Sequence, residues 1–318
     1  MQPLLEVRDL RVLFRTKRGP LRAVDGVTFD LAPAETMGVV GETGCGKSSL
    51  GKAILGILPP GTRLEGSILL DGRDLAALSR EELRQVRGKD VALIFQDPTT
   101  RLDPLMTIRD HFLETILSHE KIARQVALER AKKALASMGI PESRLDNYPH
   151  EFSGGMRQRI MIAMALVMNP RLLIADEPTT SLDVIVEAQI LNILEDLKRV
   201  YKMSLLLITH NLGIVAEVCD RVAVMYAGEF VELGPMRDVF KHPIHPYTRG
   251  LLASIIHLES KELNSIDGLP PDLVSPPPAC RFHPRCAYVQ DVCRTKDPEW
   301  VEYTPGHFAA CHFGRDFL

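Results

Sequence analysis

Two hydrophobic periods take turns along this chain. Short apolar runs closed by turn residues mark strands at residues 24–31 (VDGVTFDL) and 35–40 (ETMGVV), and the first 40 residues as a whole read as short strands. A glycine-rich stretch at 41–48 follows, then a helical pattern over 49–58. Leu69 and Leu70 sit in another short strand closed by Asp71-Gly72, and the continuous run VALIF at 91–95 is of the buried-strand type. From 107 to 138 the period turns helical with long polar faces, which predicts a helical insertion. Strands and helices then alternate: helix 154–168, strand 171–176, helix 184–200, strand 203–209, helix 211–218, strand 221–226. Alternation of this kind predicts a mainly parallel sheet in an α/β fold. No internal repeat is visible. Residues 264–279 are proline-rich and lead as SPPPAC into a cysteine-bearing end, a linker or rigid lead-in.

Composition narrows the function classes. The 318 residues are enough for one large domain plus an appendage, and 45% apolar with 25% charged is ordinary for a soluble protein. A net charge of -3 gives no global basic field, so nucleic acid is not expected as a partner. No apolar run reaches the roughly 18 residues a membrane span needs. The N-terminus carries Glu6 and Asp9 before any long apolar stretch, unlike a signal peptide. The chain is therefore expected to stay in the cytoplasm, and at a membrane only if another protein holds it there.

The sharpest chemistry lies in GETGCGKS, residues 41–48, which fits the spacing of a phosphate-binding loop between a strand and a helix. Glycines at 41, 44 and 46 let backbone N–H groups turn toward phosphate oxygens, and the helix start adds positive partial charge. Candidate nucleotide contacts are Gly41, Glu42, Thr43, Gly44, Cys45, Gly46, Lys47, Ser48 and Ser49. Lys47 is expected to reach the β- and γ-phosphates of ATP, and Ser48 to ligate Mg²⁺. The strand at 171–176 ends in Asp176 followed by Glu177. Beside a phosphate loop, Asp176 would serve the Mg²⁺ ion and Glu177 would act as general base on the attacking water. A second candidate anion site is FSGGMRQR at 152–159, where Ser153 caps a helix and Gly154 and Gly155 leave its first N–H groups uncovered.

This last segment resembles the signature motif of ABC ATPases, with Phe152 and Met156 in place of the usual Leu and Gln. Gln96 is similar to the Q-loop glutamine, Ser181-Leu182-Asp183 to the D-loop and His210 to the switch histidine. The resemblance implies an ABC-type P-loop nucleotide-binding domain with a helical subdomain, and ATP bound between the phosphate loop of one domain and Ser153, Gly154 and Gly155 of another. It implies that Gln96 touches Mg²⁺ and that His210 meets the γ-phosphate, and it makes Asp183 a further candidate nucleotide-binding residue. Phe14 is the candidate ring for adenine stacking, with a core Phe in an early strand as the alternative.

Four further stretches, at 95–104, 148–159, 225–229 and 245–248, resemble the D-type ATPase subunits of dipeptide and oligopeptide importers. That family implies two transmembrane permease subunits, an extracytoplasmic substrate-binding protein and a sibling ATPase forming a heterodimer at the cytoplasmic face of the cell membrane. Relatives carrying nickel or oligosaccharides leave the cargo open, and a non-transport ABC ATPase remains a competing reading. The expected division is a nucleotide-binding domain at 1–255, with its helical subdomain at about 100–168, and a small C-terminal cysteine-rich extension at 256–318. Cys280, Cys286, Cys293 and Cys311 supply four thiols whose spacing is not the paired pattern of common zinc sites. The resemblance implies a [4Fe–4S] cluster there. Zinc, with His283, His307 or His312 nearby, and no metal at all remain alternatives.

Overall fold

The computed structural model describes residues 2–96, 101–179, 184–254 and 266–318. From the N-terminus run β1 (Leu5–Thr16), β2 (Gly19–Leu31), β3 (Thr36–Val40), α1 (Lys47–Ile54), β4 (Arg63–Leu70) and β5 (Arg73–Asp74). Next come α2 (Arg80–Val86), β6 (Val91–Ile94), α3 (Ile108–His119), α4 (Arg124–Ser137), α5 (Gly154–Leu166), β7 (Leu172–Asp176) and α6 (Val184–Tyr201). The chain continues through β8 (Ser204–Ile208), α7 (Leu212–Val218), β9 (Arg221–Tyr226), β10 (Glu229–Pro235), α8 (Met236–Lys241) and α9 (Pro246–Ala253). It closes with α10 (Asp291–Thr295), β11 (Trp300–Thr304) and β12 (His307–Ala310). Two compact units form: Met1–Ala76 with Leu207–Leu318, and Ala77–Leu206. The division expected at 255/256 lies outside the described residues.

In the first unit, β1 and β2 are not the short strands expected. They form a long antiparallel hairpin of 12 and 13 residues, to which β4 and then β5 add, all antiparallel. The hidden length has a local cause. Register shifts interrupt β1 between Val7 and Leu10, and Asp9 takes a positive φ of 44°, so the polar–apolar alternation breaks and reads as fragments. The same unit holds a second sheet in which β3 pairs parallel with β9, then β10, β12 and β11 follow antiparallel. The mainly parallel sheet expected from alternation is thus only part of the architecture. All five residues of β3 are buried. At Gly38 a Cβ would meet the Val215 side chain at 3.0 Å and Cys219 Sγ at 3.1 Å, so the glycine lets α7 lie close on β3.

The C-terminal segment joins this unit by strand addition: Glu232 and Leu233 of β10 face Ala309 and Phe308 of β12. Glu232 is fully buried and accepts three hydrogen bonds at 2.8 Å, from Ile244 N, His245 N and His307 Nε2. A buried carboxylate persists only when so satisfied. His245 is buried beside it, with Nδ1 accepting the Tyr247 N–H at 3.0 Å. Desolvation pulls its pKa from 6.5 down to about 4, against the opposing pull of Glu232. A folded-state pKa below the unfolded one stabilises above pH 6.5 and loses that contribution as pH falls toward 4. The loss is worth about 3 kcal/mol. Glu229, whose burial raises its pKa from 4.5 to about 7, contributes a slope of opposite sign in this window. The expected result is therefore a difference in slope between the parent and His245→Asn, which keeps an acceptor for Tyr247, in urea unfolding from pH 7 to 4.5. An equal slope in both proteins would refute the assignment.

The second unit places β6 and β7 parallel, in register from Val91 opposite Leu172 to Ile94 opposite Ala175. Helices α3, α4 and α5 occupy the stretch where a helical insertion is expected. Thr107 caps α3 by accepting from Asp110 N, and α4 begins after Ala123. Among the described residues no helix is long and apolar enough to cross a membrane.

Candidate functional site

The phosphate loop sits in the first unit between β3 and α1. Gly46 precedes α1 with φ 115°, and no side chain caps the helix, so its first turn keeps N–H groups for a ligand. Gly41 (φ 153°) and Gly46 are required by space as well as by φ. A Cβ on either would fall inside contact distance of a backbone oxygen, that of Met225 for Gly41 and that of Ala23 for Gly46. Gly44 (φ 83°) has open space around it. The Lys47 side chain is buried and lies back across the loop, its ammonium donating to Gly41 O at 2.7 Å and Glu42 O at 3.0 Å. Burial pushes the Cys45 thiol above its ordinary pKa. Thr43 and Gly44 are exposed, and Ser48 and Ser49 are half-buried at the helix start. Phe14 is half-buried on β1, opposite Leu21. His210 is exposed just beyond β8. The next residue, Asn211, caps α7 through Gly213 N at 3.0 Å, which fixes the backbone that carries the imidazole.

In the second unit every residue of β7 is buried, and Asp176 ends it at 4% exposure. Glu177 follows in a left-handed conformation, φ 47°, which is uncommon for a residue with a side chain and typical of functional sites. Its carboxylate accepts from Gln96 Nε2 at 2.9 Å. The strand register explains the meeting. Ile94 faces Ala175, and Gln96 and Glu177 each lie two residues further along.

Ser153 is the N-cap of α5, its hydroxyl accepting from Met156 N at 3.4 Å. Ser153 and Gly154 are exposed, whereas a Cβ at Gly155 would press on Val186 Cγ1 at 2.9 Å. Phe152 is buried, with the Arg144 guanidinium 4.7 Å over its ring. One residue the sequence reading passed over is Gln158. It is buried and donates to Pro178 O at 2.6 Å, tying this helix to the loop just after Glu177. Its signal was a polar residue on the buried face of α5. Ser181, Leu182 and Asp183 lie outside the described residues.

Cys280, Cys286, Cys293 and Cys311 line one small cavity, together with Phe282 and His283. All six cysteines of the chain are free thiols. Burial is the main reason Cys280 is pushed up to about 12 and Cys311 to about 11, with the other cysteines adding to both. His283 Nδ1 is engaged with Cys280 O, His312 Nε2 with Lys296 O and His307 Nε2 with Glu232. Among the described residues, no group of three or more His, Cys, Asp or Glu side chains is gathered as a metal ion would require.

Comparison with known proteins accounts for the combination. Residues 24–180 match the ABC transporter family model, and residues 231–293 match the model of the oligopeptide/dipeptide transporter C-terminal region. The chain is 48% identical over 317 residues to a dipeptide transport ATP-binding protein of Bacillus subtilis, covering 98% of this chain and 95% of the relative. This chain belongs to the ABC transporter ATP-binding family. An oligopeptide transport ATP-binding protein of Salmonella typhimurium is 45% identical over 312 residues, covering 97% of this chain and 93% of the relative. Among solved structures, the ATP-binding cassette MJ0796 in a post-hydrolysis state bound to ADP and Pi shares the fold. Its TM-score is 0.66 at 23% identity, covering 73% of this chain and 99% of that one. The cbiO1 protein of Clostridium perfringens, part of an ABC transporter complex, aligns with TM-score 0.64 at 29% identity, over 76% of this chain and 91% of that one. As a member of the ABC ATPase family, the chain is an ATP-hydrolysing protein with an ABC cassette fold.

Proposed function

We propose that this chain is the ATP-hydrolysing subunit of an importer for dipeptides and oligopeptides. The supporting observation is identity near half, over nearly the whole chain, with peptide transport ATP-binding proteins, including the C-terminal region typical of them. The relatives named above are peptide transport proteins, which favours peptides over nickel or oligosaccharides as cargo. The partners are two transmembrane permease subunits, an extracytoplasmic substrate-binding protein and a sibling ATPase in a heterodimer. The chain works at the cytoplasmic face of the membrane, without nucleic acid.

In this reading the loop 41–49 binds the phosphates, with Lys47 leaving its carbonyl partners for the β- and γ-oxygens. Ser48, Asp176 and Gln96 would hold Mg²⁺, which neutralises phosphate charge when bound. Glu177 orients and deprotonates water, His210 contacts the γ-phosphate and Phe14 stacks on adenine. Ser153, Gly154 and Gly155 serve the ATP held by the sibling chain, and Asp183 is a further nucleotide-binding residue. The nucleotide-binding domain would run from residue 1 to 255 and the C-terminal extension from 256 to 318.

The four cysteines are read as holders of a [4Fe–4S] cluster in preference to a zinc ion. The support is that all four line one cavity, and four thiolates are the donor set such a cluster takes. Cys280, Cys286, Cys293 and Cys311 would hold it, and it would cross-link turns of a segment with few buried apolar side chains. Anaerobic purification of the tagged chain from its native membranes tests both parts. Two multi-span proteins, a sibling ATPase, and iron with sulfide in equal amounts are expected. Recovery with ribosomes or DNA would overturn the transport reading, and absence of iron and sulfide would reject the cluster.

A further inference from the structure

We propose that Arg285 is a positioning residue for the phosphate loop, so that the cysteine-bearing segment braces the ATP site. Glu42 is the second residue of the loop, and its carboxylate accepts two hydrogen bonds from Arg285, at 2.8 Å from Nη1 and 2.9 Å from Nη2. The pair spans 243 residues of chain. The Arg285 side chain is 6% exposed, and its guanidinium also donates to Asp267 O at 2.9 Å and Ile266 O at 3.3 Å, so its fork is held before any nucleotide arrives. The Glu42 N–H donates to the Tyr247 hydroxyl at 2.9 Å. Tyr247 packs against Tyr226 and Phe282, with ring centroids 4.5 and 5.4 Å away. The loop's first turn is therefore gripped by groups from α9 and from the cysteine segment.

A second arginine of that segment reaches the other side of the loop. Arg281 donates to Ala227 O at 2.5 Å and pairs with Asp25. The adjoining Gly228 N–H donates to Cys45 O at 2.8 Å. Arg281 follows Cys280 in the chain and Arg285 precedes Cys286, so each brace adjoins a cysteine of the cavity.

The electrostatic reason is direct. A carboxylate inside a loop built for a polyanion repels that polyanion unless it is neutralised, and a bidentate guanidinium neutralises it while fixing its direction. Arg285 thus acts on ATP through Glu42. This inference rests on reading residues 41–48 as the ATP phosphate loop.

The test is titration calorimetry of the full chain with ATP and Mg²⁺, alongside thermal unfolding without nucleotide. Arg285→Gln should raise the Kd for ATP about tenfold, and Arg285→Lys, which keeps the charge but not the fork, by less. Adding Glu42→Gln to Arg285→Gln should restore affinity to within about threefold of the parent, because the unpaired anion is gone. A residue that only packs would show no such rescue. Unchanged affinity in Arg285→Gln, or a double variant that binds no better than Arg285→Gln, overturns the proposal. If the parent chain itself fails to bind ATP, the functional reading falls with it. If the parent binds and Arg285→Gln binds equally, only the brace falls.

Discussion

Replacing Glu177 with Gln will lower kcat for ATP hydrolysis by at least about 100-fold and leave ATP affinity within about threefold of the parent. The size follows from what a positioned general base contributes to proton transfer in a transition state. Glutamine keeps the shape of the side chain and an oxygen for the Gln96 amide that lies 2.9 Å from the present carboxylate, so the local geometry survives and only proton acceptance is lost. The left-handed backbone at Glu177 supports the same assignment, since strain of this kind is retained where it aims a side chain. Steady-state hydrolysis by the transporter purified from its native membranes, with nucleotide binding measured in parallel, separates the two effects. Turnover within tenfold of the parent would remove Glu177 from its role.

Gly46→Ala will abolish ATP binding and lower stability by about 3 kcal/mol. Two costs add at this position. A φ of 115° is foreign to alanine, and the new methyl would press on Ala23 O and lie 2.7 Å from Met225 Cε. The backbone oxygen cannot yield without moving β2, so the loop must deform and its N–H groups lose their common focus. Gly44→Ala is the contrast. Its φ of 83° carries a penalty of about 1 kcal/mol, yet nothing lies within 4 Å of the added carbon. Gly44→Ala should therefore remain folded and bind ATP, more weakly than the parent. Chemical denaturation and nucleotide titration of both variants give the comparison, and equal effects would show that the close contact at Gly46 is unimportant.

Legibility in the sequence followed the range of the interactions. The phosphate loop, the apolar strand ending at Asp176 and the Ser153 cap are each local, and spacing along the chain was sufficient to find them. Glu177 and Gln96 each stand out at the end of an apolar run, but their contact depends on the parallel register of β6 and β7, which no local pattern states. The hairpin of β1 and β2 was misread as short strands because the bulge around Asp9 breaks its alternation. The antiparallel sheet was missed for a related reason, since alternating elements suggest parallel pairing only where helices intervene between strands. The docking of β12 on β10 through buried Glu232 and His307, 75 residues apart, left a polar signature that sequence alone assigns to the surface. The arginines beside Cys280 and Cys286 are visible as residues, but the partners that tie them to the phosphate loop, Ala227 and Glu42, lie more than 50 residues away in the chain.

ATP hydrolysis by this chain is expected to drive the movement of peptide. The most direct measurement is uptake of a labelled dipeptide or short oligopeptide by native cells lacking this chain, supplied with either the parent or the Glu177→Gln variant. Uptake should be absent without the chain, restored by the parent and not restored by the variant. Full uptake in its absence, or equal restoration by both forms, would show that hydrolysis by this chain does not drive peptide uptake.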